Sequence, residues 1–198
     1  MPLLLATCAM VVMWTWVRGT ELLARKTRRD SISMQDLIRM LEKSKPIRVA
    51  GTAVYLTTSP EVAPSAFMHN LKHNKVMHDR VILMSVKTED TPRVPQAKRF
   101  DIAKLSDDFT SIVLHYGYME SPRIPAALAS LRKAGLKFDI MTTSFFVGRR
   151  KVQPAQNSGM PRWQDRLFIA LFAQSANPTD YFSIPSDRVV ELGEQLTI

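Results

Sequence analysis

Residues 2–17, PLLLATCAMVVMWTWV, contain no charged side chain, and the five positive charges that follow within the next twelve positions stand against one acidic group. A run of this kind restricts the chain more than any other feature, because its backbone must be satisfied internally wherever it lies. As a helix it rises about 24 Å, somewhat short of the roughly 30 Å hydrocarbon core of a bilayer. Three readings compete. A secretory signal places its positive charge before the apolar run and a small-residue cleavage site after it, whereas here the charges follow and Trp14 and Trp16 occupy the end. A buried core helix leaves the basic flank unexplained. A transmembrane helix with a truncated start explains the most. Trp14 and Trp16 sit at the interface, and Arg18, Arg25, Lys26, Arg28 and Arg29 hold the next segment in the cytoplasm.

The charge distribution supports that division. The net charge is +9, and more than half of it lies in residues 18–50. The basic excess is therefore a local, juxtamembrane feature, and no nucleic-acid surface is indicated. Cys8 is the only cysteine and can form no intrachain disulfide. We divide the chain into a transmembrane helix at 1–18, a basic juxtamembrane linker with an amphipathic helix at 19–50, and a cytosolic domain at 51–198.

In the linker, Ser33-Met-Gln-Asp36 reads as a helix start, with Met34, Leu37, Ile38 and Leu41 at helical spacing and Pro46 as the stop. Residues 52–57 (TAVYLT) predict a short strand, and residues 60–64 a turn. Residues 65–79 read as helix and 80–87 (RVILMSVK) as a central strand buried on both faces, in which an unpaired carboxylate at Leu83 would cost several kcal/mol. Residues 88–98 read as a loop. In residues 109–118, Ile112, Leu114, Tyr116 and Tyr118 fall on one face at period two. A helix is expected over 125–134, closed by Gly135. A strand follows over 138–147, then a helix over 161–176 that ends at Asn177-Pro178 and turns Trp163, Leu167 and Leu171 to the core. The tail, IPSDRVVELGEQLTI, fits a strand or a short helix. The order β-α-β-β-α-β-α predicts an α/β domain with a mixed sheet flanked by helices.

Three of the four histidines fall between residues 69 and 78, in HNLKHNKVMH. His69 and His73 have the i, i+4 spacing that zinc hydrolases use in H-E-x-x-H, but Asn70 stands where the general-base Glu belongs. On a continuous helix, His78 lies about 140° round from His73. Lys72 and Lys75 add charge that opposes a divalent cation. We read these histidines as structural and hydrogen-bonded, with no metal ligand and no catalytic residue among them. No G-x-G-x-x-G, G-x-x-x-x-G-K-[ST] or G-x-S-x-G pattern is present, so neither a phosphate cradle nor a serine nucleophile is written in the chain. No enzyme is therefore predicted, and no cofactor. Gly148-Arg149-Arg150-Lys151 reads as a basic loop after a strand, where an anion could be gripped.

Several long segments together resemble the C-terminal end of the KUP/HAK/KT potassium uptake transporters. They are RVAGTAVYLT (48–57), with Ala50 where the family has proline, HNLKHNKVMHDRVILMSV (69–86), HYGYMESPRIPAAL (115–128), TSFFVGRRKV (143–152) and the tail from Ile184. PLLLA resembles the start of that family's last transmembrane helix. The resemblance implies potassium uptake coupled to protons, through a bundle of membrane helices on an inverted-repeat plan that lies upstream of this portion. It implies a membrane location (the inner membrane in bacteria), with the cytoplasmic domain regulating the transporter or pairing two copies as a homodimer. Its partners would be the remaining transmembrane part, potassium and protons. No ion-binding residue is carried over, because no position here matches one. An alternative is a membrane-tethered module that binds an adenine nucleotide messenger, with Arg149, Arg150 and Lys151 as contacts.

Overall fold

The computed structural model describes residues 1–29, 31–133, 142–154, 159–175, 178–184 and 186–197. These divide into two compact units. The larger, residues 32–149 and 177–192, is built around a sheet. The smaller combines residues 1–31, 150–176 and 193–198.

In the larger unit, α2 spans Met34–Ser44, β1 Ile47–Leu56, α3 Ser65–Asn74, β2 Val76–Glu89, β3 Phe100–Lys104, β4 Phe109–Gly117 and α4 Ile124–Lys133. Strand β5, Thr143–Gln153, and strand β6, Val189–Thr197, run through both units. The six-stranded sheet has the order β3-β4-β2-β1-β5-β6. Strands β4, β2, β1 and β5 are mutually parallel, and β3 pairs antiparallel with β4 at the edge. The α/β architecture with a mixed sheet flanked by helices is thus as the alternation of segments predicts.

The parallel arrangement follows from the strand sequences. Val81, Ile82, Leu83 and Met84 are all fully buried, which a strand with one wet face does not allow. Alternate residues serve two cores. Val81 and Leu83 join Ala53, Tyr55, Phe109 and Phe146 against Leu37 and Leu41 of α2 and Phe67 of α3. Ile82 and Met84 join Val54, Ile112, Leu114 and Phe145 against Ile124, Leu128 and Leu131 of α4.

Local signals set the boundaries. Ser33 caps α2, its Oγ accepting from the Asp36 N–H at 3.1 Å, and Lys45 ends it in the left-handed region at φ 42° just before Pro46. Strand β1 begins five residues before the expected Thr52. A bulge between Val49 and Thr52 carries the ladder through Gly51, whose φ of 111° glycine alone adopts readily.

Several expectations are corrected. The helix predicted over 65–79 stops at Asn74, because Lys75 turns left-handed at φ 57° and gives its N–H to the Leu71 carbonyl. His78 is therefore a strand residue, and the angular argument that placed it on the helix does not apply. Tyr118 lies beyond β4 in a turn and is 61% exposed, leaving Ile112, Leu114 and Tyr116 as the buried set. Strand β3, where Phe100 and Ile102 alternate over only five residues, is an addition to the expected strands. The tail forms β6, a strand. Ala134, Gly135, residues 138–141, Ala176 and Asn177 lie outside the described residues.

The smaller unit packs α1, Pro2–Arg29, against α5, Arg162–Ala173. The helix continues beyond Val17 because the residues that follow include Leu, Ala, Arg and Lys, good helix formers. Thr15, Gly19 and Leu23 form its buried stripe. A Cβ at Gly19 would stand 2.2 Å from the Phe168 ring, so the close approach needs glycine there. On α5 the buried residues are Gln164, Asp165 and Phe168, whereas Trp163 is 52% exposed. The expected Trp163–Leu167–Leu171 core stripe is displaced, because the helix meets α1 through Phe168 rather than through Trp163.

At the β4 end of the sheet, Glu120 clamps the loop that precedes β3. It accepts two bonds from Arg99, at 2.7 and 3.0 Å, and one each from the Gly117 and Val94 N–H groups at 2.8 and 3.1 Å. Arg99 and then the Gly117 N–H hold its carboxyl down at about 2, against an ordinary 4.5. Because the folded value is depressed, the stabilisation is complete above about pH 4.5 and is lost as the pH falls toward 2. Urea midpoints measured across this window should fall with pH in the parent. In Glu120→Gln they should be lower at neutral pH and change less between pH 4.5 and 2.

Candidate functional site

The histidine-rich segment resolves into a hydrogen-bond hub centred on Asn70. This side chain is 3% exposed and lies on the inner face of α3. Its Nδ2 donates to the Tyr55 hydroxyl at 3.1 Å and to the Val76 carbonyl at 3.4 Å, and its Oδ1 accepts from Asn74 at 2.7 Å. The position that would carry a hydrolase's base instead ties α3 to β1 and to the start of β2. Burial pushes the Tyr55 hydroxyl well above its usual range, which keeps it a neutral donor and acceptor.

His69 and His73 stack face to face, ring centroids 5.9 Å apart, with His73 exposed. His78 meets the Phe146 ring at 5.7 Å, edge to face, and burial lowers its pKa. Its Nδ1 is buried with no hydrogen-bond partner among the described residues, so the expected hydrogen bonding is not found there. Among the described residues no group of three His, Cys, Asp or Glu side chains could hold a metal ion.

The fourth histidine joins a cluster that sequence inspection overlooked. His115 on β4 places Nδ1 2.7 Å from Glu89 and Nε2 3.1 Å from Asp101. The three residues come from β2, β3 and β4, and their proximity depends on β3, whose five residues give only a short alternation. Glu89 lies below the usual carboxylate range, first because of the bond with His115.

In a doubly wound parallel sheet, ligands favour the carboxyl ends of strands where the connection reverses direction. Here the chain moves from β1 to β2 to β4 on one side and then to β5 on the other, so the reversal falls between β1 and β5. At that end β1 leads to Thr57, whose Oγ1 is 2.9 Å from the Ser59 carbonyl, and onward to the first turn of α3. Gly148 of β5 stands opposite, where an added Cβ would lie 3.4 Å from Ser65 Oγ. Arg149 follows. The Gly148–Lys151 stretch is strand rather than the expected loop, because β5 continues to Gln153. Arg149 is 3.3 Å from Glu191 and Arg150 3.5 Å from Glu194, so both guanidinium groups already face carboxylates.

Residues 50–198 match the family described as the K+ potassium transporter C-terminal domain. This chain belongs to the Kup potassium transporter family. It is 55% identical over its whole length to the "Probable potassium transport system protein Kup" of Caulobacter vibrioides strain NA1000, covering 30% of that protein. It is 50% identical over its whole length to the protein of the same name from Rhizobium rhizogenes strain K84, covering 32%. The chain spans about a third of the length of these relatives. A Rhizobium tropici protein of the same name is 49% identical, and there the chain covers 94%. No solved structure matches the chain.

Asn70→Ala should cost about 1–3 kcal/mol, because the buried Tyr55 hydroxyl loses its partner. The same change in a Tyr55→Phe background should cost less. Thermal melts of the four proteins measure the coupling, and equal costs in both backgrounds would show that the bond contributes nothing.

Proposed function

We propose that this chain is the C-terminal, membrane-anchored part of a proton-coupled potassium uptake transporter, and that its α/β unit regulates transport or pairs two copies as a homodimer. The observation that carries this reading is the order of parts. Helix α1 is the one helix among the described residues long and apolar enough to cross a membrane, and the potassium-transporter domain follows it from residue 50. The ion pathway belongs, on this reading, to the remaining transmembrane part. Residues 1–18 enter the bilayer, 19–50 connect, and 51–198 form the cytosolic domain. Arg18, Arg25, Lys26, Arg28 and Arg29 after the apolar run support a cytoplasmic location. The chain's role is mechanical or regulatory rather than enzymatic.

The reversal of strand order beside β1, with Gly148 of β5 close to Ser65 at the start of α3, supports a second reading, a module that binds an adenine nucleotide messenger. Arg149 and Arg150 weigh against it, since a ligand would have to compete with Glu191 and Glu194. A nucleotide that raises the melting temperature would favour this reading.

A chimera provides the test. The Caulobacter relative with its C-terminal third exchanged for this chain should restore potassium uptake to a strain lacking its own uptake systems, and this chain alone should not. A chimera that reaches the membrane at the parent's level and moves no potassium would contradict the proposal.

A further inference from the structure

The first turn of α5 presents a largely exposed face. Asp165, the only acidic residue of that helix, is 4% exposed, so its outward side carries Arg162, Trp163 and Arg166 without a counter-charge. Neither arginine lies within ion-pair distance of a carboxylate among the described residues, whereas Arg25, Arg48, Arg99, Arg149 and Arg150 all do. A half-exposed tryptophan between two free guanidinium groups is costly to leave in water and is suited to a surface that is apolar beneath and anionic above.

The packing of α1 on α5 fixes the level at which that face lies. Gln164 Nε2 donates to Thr15 Oγ1 at 3.3 Å, and the Phe168 ring lies 5.7 Å from Trp16. Trp163, next to Gln164 in the chain, therefore stands beside the Trp14–Trp16 stretch where the charge-free run of α1 ends. All three tryptophans of the protein fall in one band. Arg18 follows at once, its guanidinium 5.8 Å from the Trp14 ring and 2.8 Å from the Gly159 carbonyl. Tryptophan at the boundary and arginine just outside it is the arrangement of a membrane–water interface.

We propose that Arg162, Trp163 and Arg166 form a docking surface for the anionic headgroups of the bilayer that α1 enters. The inference rests on α1 being a membrane helix. Given that, the tryptophan inserts at the headgroup level and the two arginines pair with lipid phosphates, so the first turn of α5 makes a second attachment. Charge complementarity selects an anionic occupant, and the position of the face beside Thr15 and Trp16, where the charge-free run ends, selects lipid.

The test uses the full chain with Trp14→Phe and Trp16→Phe, which leaves Trp163 as its sole tryptophan. The protein is reconstituted into vesicles of phosphatidylcholine alone or mixed with phosphatidylglycerol. In the mixed vesicles Trp163 emission should shift to the blue, be quenched by lipids brominated near the headgroup, and become several-fold less accessible to iodide than in detergent. Adding Arg162→Glu and Arg166→Glu should restore iodide access while the protein still floats with the vesicles and melts as before. Equal iodide access in detergent and in mixed vesicles, with the protein floating, would overturn the proposal. So would equal protection in both kinds of vesicle, which would remove the anionic preference. A protein that fails to float with either vesicle would overturn the membrane reading of α1 itself.

Discussion

The larger unit depends on one constraint, the burial of β2 on both faces. A strand whose successive side chains at 81–84 all leave water must have a neighbour on each edge and a layer on each side. Parallel partners β1 and β4 supply the edges, and the crossovers that parallel pairing requires supply the layers. Helix α3 connects β1 to β2, and α4 lies between β4 and β5 in the chain. The two cores are thus consequences of one strand. Val81 and Leu83 look toward α2 and α3, and Ile82 and Met84 toward α4.

The same strand explains the segment that first suggests a metal site. To bring β2 beside β1, the chain must leave α3 abruptly. It does so at Lys75, and Asn70 closes the corner by reaching both Tyr55 of β1 and the Val76 carbonyl of β2. A glutamate at that position would place a carboxylate in a site that is 3% exposed, beside a tyrosine hydroxyl held neutral. The histidines around it stack on each other or pack on an aromatic ring. The segment is a joint, and what it serves is the registration of the sheet.

Much of the fold was legible because its elements carry strong periods or strong stops. The RVILMSV run, the Ser33 cap with Pro46 behind it, and the alternation at Ile112, Leu114 and Tyr116 all lead to the observed elements. The misses have physical causes. Strand β3 is mostly exposed and its apolar alternation is confined to Phe100 and Ile102, so its pairing with β4 is what identifies it. VMHD does not break helical periodicity, so the sequence alone carries helix α3 on to Asp79, whereas the stop is a left-handed Lys75, a residue with no special propensity for that conformation. Trp163 falls on the expected core stripe by its i, i+4, i+8 spacing with Leu167 and Leu171, while Phe168 is the side chain that Gly19 admits. Of the sites, Asn70 drew notice only as a missing base. The Glu89–His115–Asp101 cluster and the Glu120 clamp join residues distant in the chain, and neither is written in local spacing.

A chain organised in this way contributes a rigid sheet to a transporter family together with an apolar helix, and its rigidity originates at β2. Native-state hydrogen exchange tests that claim most directly. The amides of residues 81–85 should be the slowest in the protein and should exchange only through global unfolding, with a steep dependence on denaturant, while those of β3 exchange through local opening. If the β2 amides exchange as fast as those of β3 and without denaturant dependence, β2 is not the constraint on which the rest depends.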